Sequence, residues 1–228
     1  MSKLEYQHKK GSRNNNYAIS FCLYKSDKFD YNKHIIPFEN FLKDGGQQGF
    51  DTVLFYKNEE DLTDVILNDN NIRLFKITSD EKNYDRHLWR YLGCIEDYEW
   101  TWFRGMDTPK IPKREVNLQY TAHYSGCDMV IWSRPSITCM GKCCVKKGLA
   151  EKLIKFLRNI DISDNLSKDW NCDEKLLSVW VNTGEQKILL ALDDPTIRNP
   201  HQEEWLINRF RSGNHTVVVK DRDDRIKI

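Results

Sequence analysis

The 228-residue sequence has no apolar run long enough to cross a bilayer, no excess of either charge, and no cysteine spacing typical of a disulfide framework. Each absence excludes something. Thirty-five basic residues against thirty-four acidic ones leave a formal net charge of +1. The whole-chain positive field that draws a protein to nucleic acid is therefore missing, although a local basic groove stays open. The seven cysteines are odd in number and scattered, and residues 1–16 are polar and charged where a secreted chain would carry an apolar leader. A cytoplasmic protein with reduced thiols and no membrane partner is the expectation. Cys139, Cys143 and Cys144, with Cys127 or Cys172 as a fourth ligand, raise the question of zinc, but Cys-x3-Cys occurs once and no second pair follows, which favours buried thiols. No repeat, low-complexity tract or linker divides the chain. The expected organisation is a flexible polar arm at 1–16 and one domain over 17–228.

What is present is aromatic. Phe, Trp and Tyr make up 12% of the residues, seven of them Trp, enough for a packed core and for a site that stacks on flat ligands. Apolar runs at Tyr17–Tyr24, Asp51–Tyr56, Ile72–Ile77 and Tyr98–Arg104 alternate with helical patterns at His34–Lys43, Glu59–Asn68 and Tyr84–Asp97. This alternation predicts an α/β fold with a mixed, mainly parallel sheet flanked by helices, the four runs standing as neighbouring strands. Pro37 is expected in the first turn of its helix. Farther on, the pattern predicts a helix over Lys113–Tyr124, a strand over Cys127–Ser133 and an irregular stretch over Arg134–Cys144 around Pro135 and Gly141. Helices from Leu149 and over Cys172–Val181, a strand over Lys187–Leu192, a short helix over Glu203–Arg211 and a β segment over Thr216–Lys220 complete it.

The chain turns on Tyr98–Thr108, an aromatic strand that runs into Arg104-Gly105-Met106-Asp107-Thr108 and then Pro109. In open α/β sheets ligands gather at the carboxyl ends of strands. Asp107 is thus a candidate to hold a divalent cation against a diphosphate, and equally a candidate to cap the helix that follows. Arg86 and Arg90 share a helix face and could meet the diphosphate or base with forked donors. Tyr24, at the end of the first strand, could stack on a uracil ring. His201, Asp193 and Asp194 follow a late strand and are candidate second metal ligands. Asp173, in the first turn of its helix, is a candidate general base for an acceptor hydroxyl.

The order of pieces in His87–Val116 resembles that of small GT-A glycosyltransferases, of which chlorella-virus glycosyltransferase domains are examples. Trp89-Arg90-Tyr91-Leu92, Phe103-Arg104, Asp107-Thr108 and Arg114-Glu115 are similar to that family's W-R-x-L helix, strand ending in R-D-x-D-S and R-E helix. Ser133-Arg134-Pro135, Met140-Gly141 and Asp173-Glu174-Lys175-Leu176-Leu177 resemble its R-x-x-P, M-G and D-Q-x-x-L elements. The resemblance implies a GT-A, Rossmann-like domain. It implies transfer of a sugar from a UDP-sugar to a hydroxyl of a glycan or other acceptor, assisted by Mn²⁺ or Mg²⁺ at Asp107. It also puts Arg134 and Gly141 on the sugar and acceptor side, and a viral source would place the protein in the host cytoplasm. One departure matters: the first Asp of D-x-D is Gly105. Three other readings remain open. One is an enzyme that glycosylates a modified DNA base, with Lys142, Lys146, Lys147, Arg209 and Arg211 as a basic patch. Another is a sugar-nucleotide-binding module without catalysis. The last is a zinc-stabilised nucleic-acid-binding protein.

Overall fold

In the computed structural model the described residues are 6–23, 30–78, 98–133, 138–149, 187–191, 216–220 and 226–227, together with 152, 204 and 208. They form one ten-stranded sheet. The strands are β1 (Tyr6–Lys10), β2 (Tyr17–Leu23), β3 (Phe50–Tyr56), β4 (Ile72–Ile77), β5 (Trp100–Arg104), β6 (Met129–Ser133), β7 (Thr138–Lys146), β8 (Lys187–Ala191), β9 (Thr216–Lys220) and β10 (Ile226–Lys227). Their spatial order is β1-β4-β3-β2-β5-β7-β6-β8-β9-β10. Helices α1 (Tyr31–Lys43), α2 (Asp64–Asn68) and α3 (Lys113–Tyr124) lie between strands.

The four strands expected to be neighbours are neighbours. β4, β3, β2 and β5 run side by side and parallel, with Ile19 level with Thr52 on one side and Trp102 on the other. These strands read as nearly continuous apolar runs because both faces of the sheet are covered. Ile19, Phe21, Trp100 and Trp102 are buried on one face, and Ala18, Ser20, Thr101 and Phe103 on the other.

The sheet as a whole is mixed and not mainly parallel. β7 enters between β5 and β6 antiparallel to both, and β1 and β10 pair antiparallel at the two ends, while β6, β8 and β9 are mutually parallel. The sequence reading missed β7 because Pro135 and Gly141 interrupt the pattern around it. An antiparallel partner needs only a short connection, so the strand can return directly after β6 without the helix that a parallel crossover demands. Tyr6–Lys10, read as part of a loose arm, is also a strand. It pairs along the edge on β4, with a bulge between His8 and Lys10, and its Tyr6 ring sits edge-on to Phe55 and Phe75 at 5.6 and 5.8 Å. Residues 59–68, read as one helix, divide into a 3-10 turn at Glu59–Asp61 and α2, separated by extended backbone at Leu62 and Thr63.

α1 begins six residues before Pro37. Asp30 is its cap, accepting from the Lys33 amide at 3.2 Å, so Pro37 lies inside the helix and not in its first turn. A proline there removes one intrahelical hydrogen bond. Packing offsets that loss: Ile35, Phe38, Phe41 and Leu42 are buried, with the Phe38 and Phe41 rings 4.8 and 5.9 Å from Phe21. Gly45 and Gly46, with φ of 85° and 72°, close the helix by donating to the carbonyls of Leu42 and Phe41. That left-handed geometry suits glycine.

α3 matches its sequence boundaries. It buries Glu115, Leu118, Gln119 and Ala122, a stripe that is half polar. Gln119 Oε1 accepts from the Trp102 indole, and the Cys144 thiol lies 3.9 Å from the same oxygen. Trp102 is in register with Ile19, so α3 and α1 cover the same face of the sheet.

At the amino ends of β3 and β5 the buried carboxylate of Asp51 accepts from Asn14 N at 2.9 Å, Asn15 Nδ2 at 2.7 Å and the Tyr98 hydroxyl at 2.9 Å, and Arg73 Nη1 donates to that hydroxyl at 2.7 Å. The network ties the segment before β2 to β3, to β4 and to the residues just ahead of β5.

Candidate functional site

Strand order reverses once within the parallel block: the chain goes outward from β2 to β3 to β4, then returns to β5 on the other side of β2. The carboxyl ends of β2 and β5 therefore flank a crevice of the kind that holds ligands in open α/β sheets. β5 delivers the Gly105–Asp107 turn to this end. The register carries β7 to the same place, because Arg104 pairs with Lys142 and Gly141 follows one step beyond the last pair. Of the residues singled out from the sequence, Asp107 and Gly141 are thus brought to one end of the sheet. Tyr24, Arg86, Arg90, Arg134, Asp173 and His201 lie outside the described residues, as do Asp193 and Asp194.

The turn is built from within. Thr108 N donates to Gly105 O at 3.2 Å, Met106 points into the core at 4% exposure, and Asp107 and Thr108 remain exposed. The side chain of Arg104 holds the loop that follows. Its Nε donates to Thr108 O at 3.1 Å, its Nη2 to Lys110 O at 2.9 Å and its Nη1 to Glu115 Oε2 at 3.1 Å. A planar fork with several donors in fixed directions is what such a clamp requires. Sequence reasoning did not single out Arg104 and Glu115 as a pair. The available signal was a Glu within the buried stripe of α3 and an Arg closing an otherwise apolar strand.

Asp107 is not a helix cap. α3 starts six residues later, its cap position is Pro112, and no side chain caps it. Among the described residues the Asp107 carboxylate has one weak hydrogen-bond neighbour, the Thr108 hydroxyl at 3.5 Å. It leans over Gly105, where a Cβ would meet Asp107 Oδ1. Gly105 does not adopt the left-handed backbone that characterises Gly45, Gly46 and Gly49, so a side chain there is opposed by a movable carboxylate and not by the backbone.

An exposed carboxylate with so few partners among the described residues suits a hard cation that takes its remaining ligands from phosphate oxygens and water. Among the described residues no group of three or more His, Cys, Asp or Glu side chains could hold a metal by itself. The zinc reading fares worse. Cys143 and Cys144 are consecutive in β7, in register with Phe103 and Trp102. Cys127 and Cys144 are buried free thiols, and burial pushes the Cys127 thiol up to about 11.

A second concavity lies elsewhere on the molecule. A cleft of about 540 Å³ opens where β2 and β3 begin, between the α1–β3 loop and α3. No signal in the sequence marked it, because its walls come from three separate segments. Comparison of the chain with models of known protein families and with curated proteins gives no match.

Proposed function

We propose that the protein is a glycosyltransferase that binds a UDP-sugar at the carboxyl ends of β2 and β5 and transfers the sugar to an acceptor hydroxyl, assisted by Mn²⁺ or Mg²⁺. The observation that carries this reading is the position of Asp107. It is the exposed carboxylate at the end of the strand beside the topological switch, in a turn whose flank is fixed by Arg104. The GT-A-like series of motifs through His87–Val116 supports it from the sequence. In this role the cation would neutralise charge on the leaving diphosphate. Asp107 supplies the protein ligand, and the rigid Arg104–Glu115 frame keeps its backbone in place when the ligand arrives. Arg90 and Arg86 are assigned to the diphosphate and Tyr24 to the base. Arg134 and Gly141 are assigned to the sugar side, Asp173 to the acceptor proton and His201 to the cation's second protein contact.

One observation favours a second reading, a module that binds the sugar nucleotide without turning it over. Glycine replaces the first carboxylate of the motif, and Asp107 leans into the space that carboxylate would need.

A Mn²⁺ titration in the presence of UDP, on wild type and Asp107→Asn, tests the proposal. Metal-dependent UDP binding collapses in the variant and donor turnover falls by about 10²-fold or more. Metal-dependent binding with no donor hydrolysis in the wild type selects the binding module. Equal metal dependence in both proteins removes Asp107 from the site.

A further inference from the structure

We infer that the cleft at the start of β2 and β3 is a second ligand site, one that takes a small flat aromatic molecule bearing an anionic group. Its volume of about 540 Å³ falls within the range of small-molecule pockets, roughly 300–1,000 Å³. Tyr17 and Phe50, the first residues of the two paired strands, present rings with centroids 5.7 Å apart. Tyr120, half-exposed on α3, and Val116 one turn earlier continue the apolar wall. Flat aromatic surfaces of this kind are matched by a flat ligand, through area and ring quadrupole together.

The charge of the cleft is one-sided. Lys110 and Lys113 are exposed at its edge, and no Asp or Glu is among its described lining residues, although the chain as a whole carries 34 acidic residues against 35 basic ones. Burial, and after it the charge of Glu99, raise the Tyr17 phenol above its ordinary value, and Glu99 faces His123 Nδ1 at 3.5 Å. Tyr17 therefore enters as a neutral hydroxyl and the lysines as the charges, which selects an anion.

The wall carrying the lysines is held before any ligand arrives. Arg104 Nη2 binds Lys110 O at 2.9 Å, Gln47 Oε1 accepts from Ile111 N at 3.3 Å, and Ile111 is buried. With its oxygen so used, Gln47 can turn its amide N–H groups toward a ligand. Held walls reduce the ordering cost of binding. This site does not depend on the UDP-sugar reading, since it shares no lining residue with the Gly105–Asp107 turn.

Amide NMR of the full chain with indole-3-acetate, and with its neutral counterpart indole-3-acetamide, tests the inference. Saturable shifts are expected at Gly49, Phe50, Lys113 and Val116, with affinity about tenfold lower for the acetamide and for Lys113→Glu with the acetate, the loss of a charge pair of about 1.4 kcal/mol. Val116→Trp should fill the cleft and abolish the shifts. Lys113→Glu changes only an exposed side chain and keeps the test valid should the Trp variant fail to fold. Absence of saturable shifts at these amides through the millimolar range overturns the inference. So does equal binding of acetate and acetamide, or binding unaffected by Lys113→Glu. Shifts of the same amides by UDP at concentrations that fill the metal-dependent site would merge the two sites and overturn the claim of a second one.

Discussion

Arg104 Nη1 and Glu115 Oε2 meet at 3.1 Å with side chains 4% and 10% exposed, joining the last residue of β5 to the first turn of α3 across the loop that carries Asp107. Removing the guanidinium would take a buried charged hydrogen bond from Glu115 and two anchors from the loop. Arg104→Ala is expected to destabilise the fold by about 3–5 kcal/mol, and Glu115→Gln by less, because an amide oxygen can still accept from the guanidinium. Urea denaturation of both variants measures this. Equal, sub-kilocalorie losses would mean that the pair does not hold the loop.

Gly105→Asp restores the missing carboxylate. Its Cβ crowds the exposed Asp107 carboxylate and otherwise makes an ordinary contact with the Thr108 hydroxyl, and the backbone there is not left-handed. The variant should fold with a stability change within about 1 kcal/mol, as for a surface substitution, and should bind Mn²⁺ with UDP more tightly than wild type. Thermal melts with and without Mn²⁺ and UDP report both quantities. A large loss of stability would show that the turn needs the glycine for its backbone after all.

The Tyr98 hydroxyl is raised well above its ordinary value, chiefly by burial, with Asp51 adding to the rise and Arg73 opposing it. The folded state therefore holds this proton more firmly than the unfolded chain. The corresponding stability is fully present below the unfolded value of 10.0 and is lost as pH rises above it. Denaturation midpoints should be flat with respect to this group up to about pH 9 and decline above about pH 10. Tyr98→Phe should remove that decline and cost about 1–3 kcal/mol at neutral pH, because Asp51 and Arg73 each lose a buried partner.

Arg90 and Asp173 separate binding from chemistry. Arg90→Ala should weaken UDP binding by about 1.5–3 kcal/mol, the value of a charged hydrogen bond, as calorimetry would record. Asp173→Asn should leave donor binding nearly intact and impair transfer, which a comparison of UDP affinity with turnover would reveal. Unchanged UDP affinity in Arg90→Ala would take that residue out of the site.

Local chemistry in the sequence was enough for the parallel block and for α3. Ile19, Phe21, Leu54 and Trp102 lie in apolar runs of strand length, and α3 lies between Pro112, which ends the preceding loop, and the turn at Ser125 and Gly126. The end of β5 was legible for the same reason: a strand of buried aromatics must stop where Gly105 and Asp107 stop being apolar. What the sequence could not decide was pairing between distant segments. β7 depends on Lys142 meeting Arg104 and Cys144 meeting Trp102, and β1 on Tyr6 meeting Ile77. None of these contacts leaves a periodic trace in its own segment. The same holds for the clamp from Arg104 to Glu115 and for the cleft framed by Tyr17, Phe50 and Lys113. Burial, register and charge pairing are set by the partners that tertiary structure supplies, whereas helix and strand propensity are carried by the residues themselves.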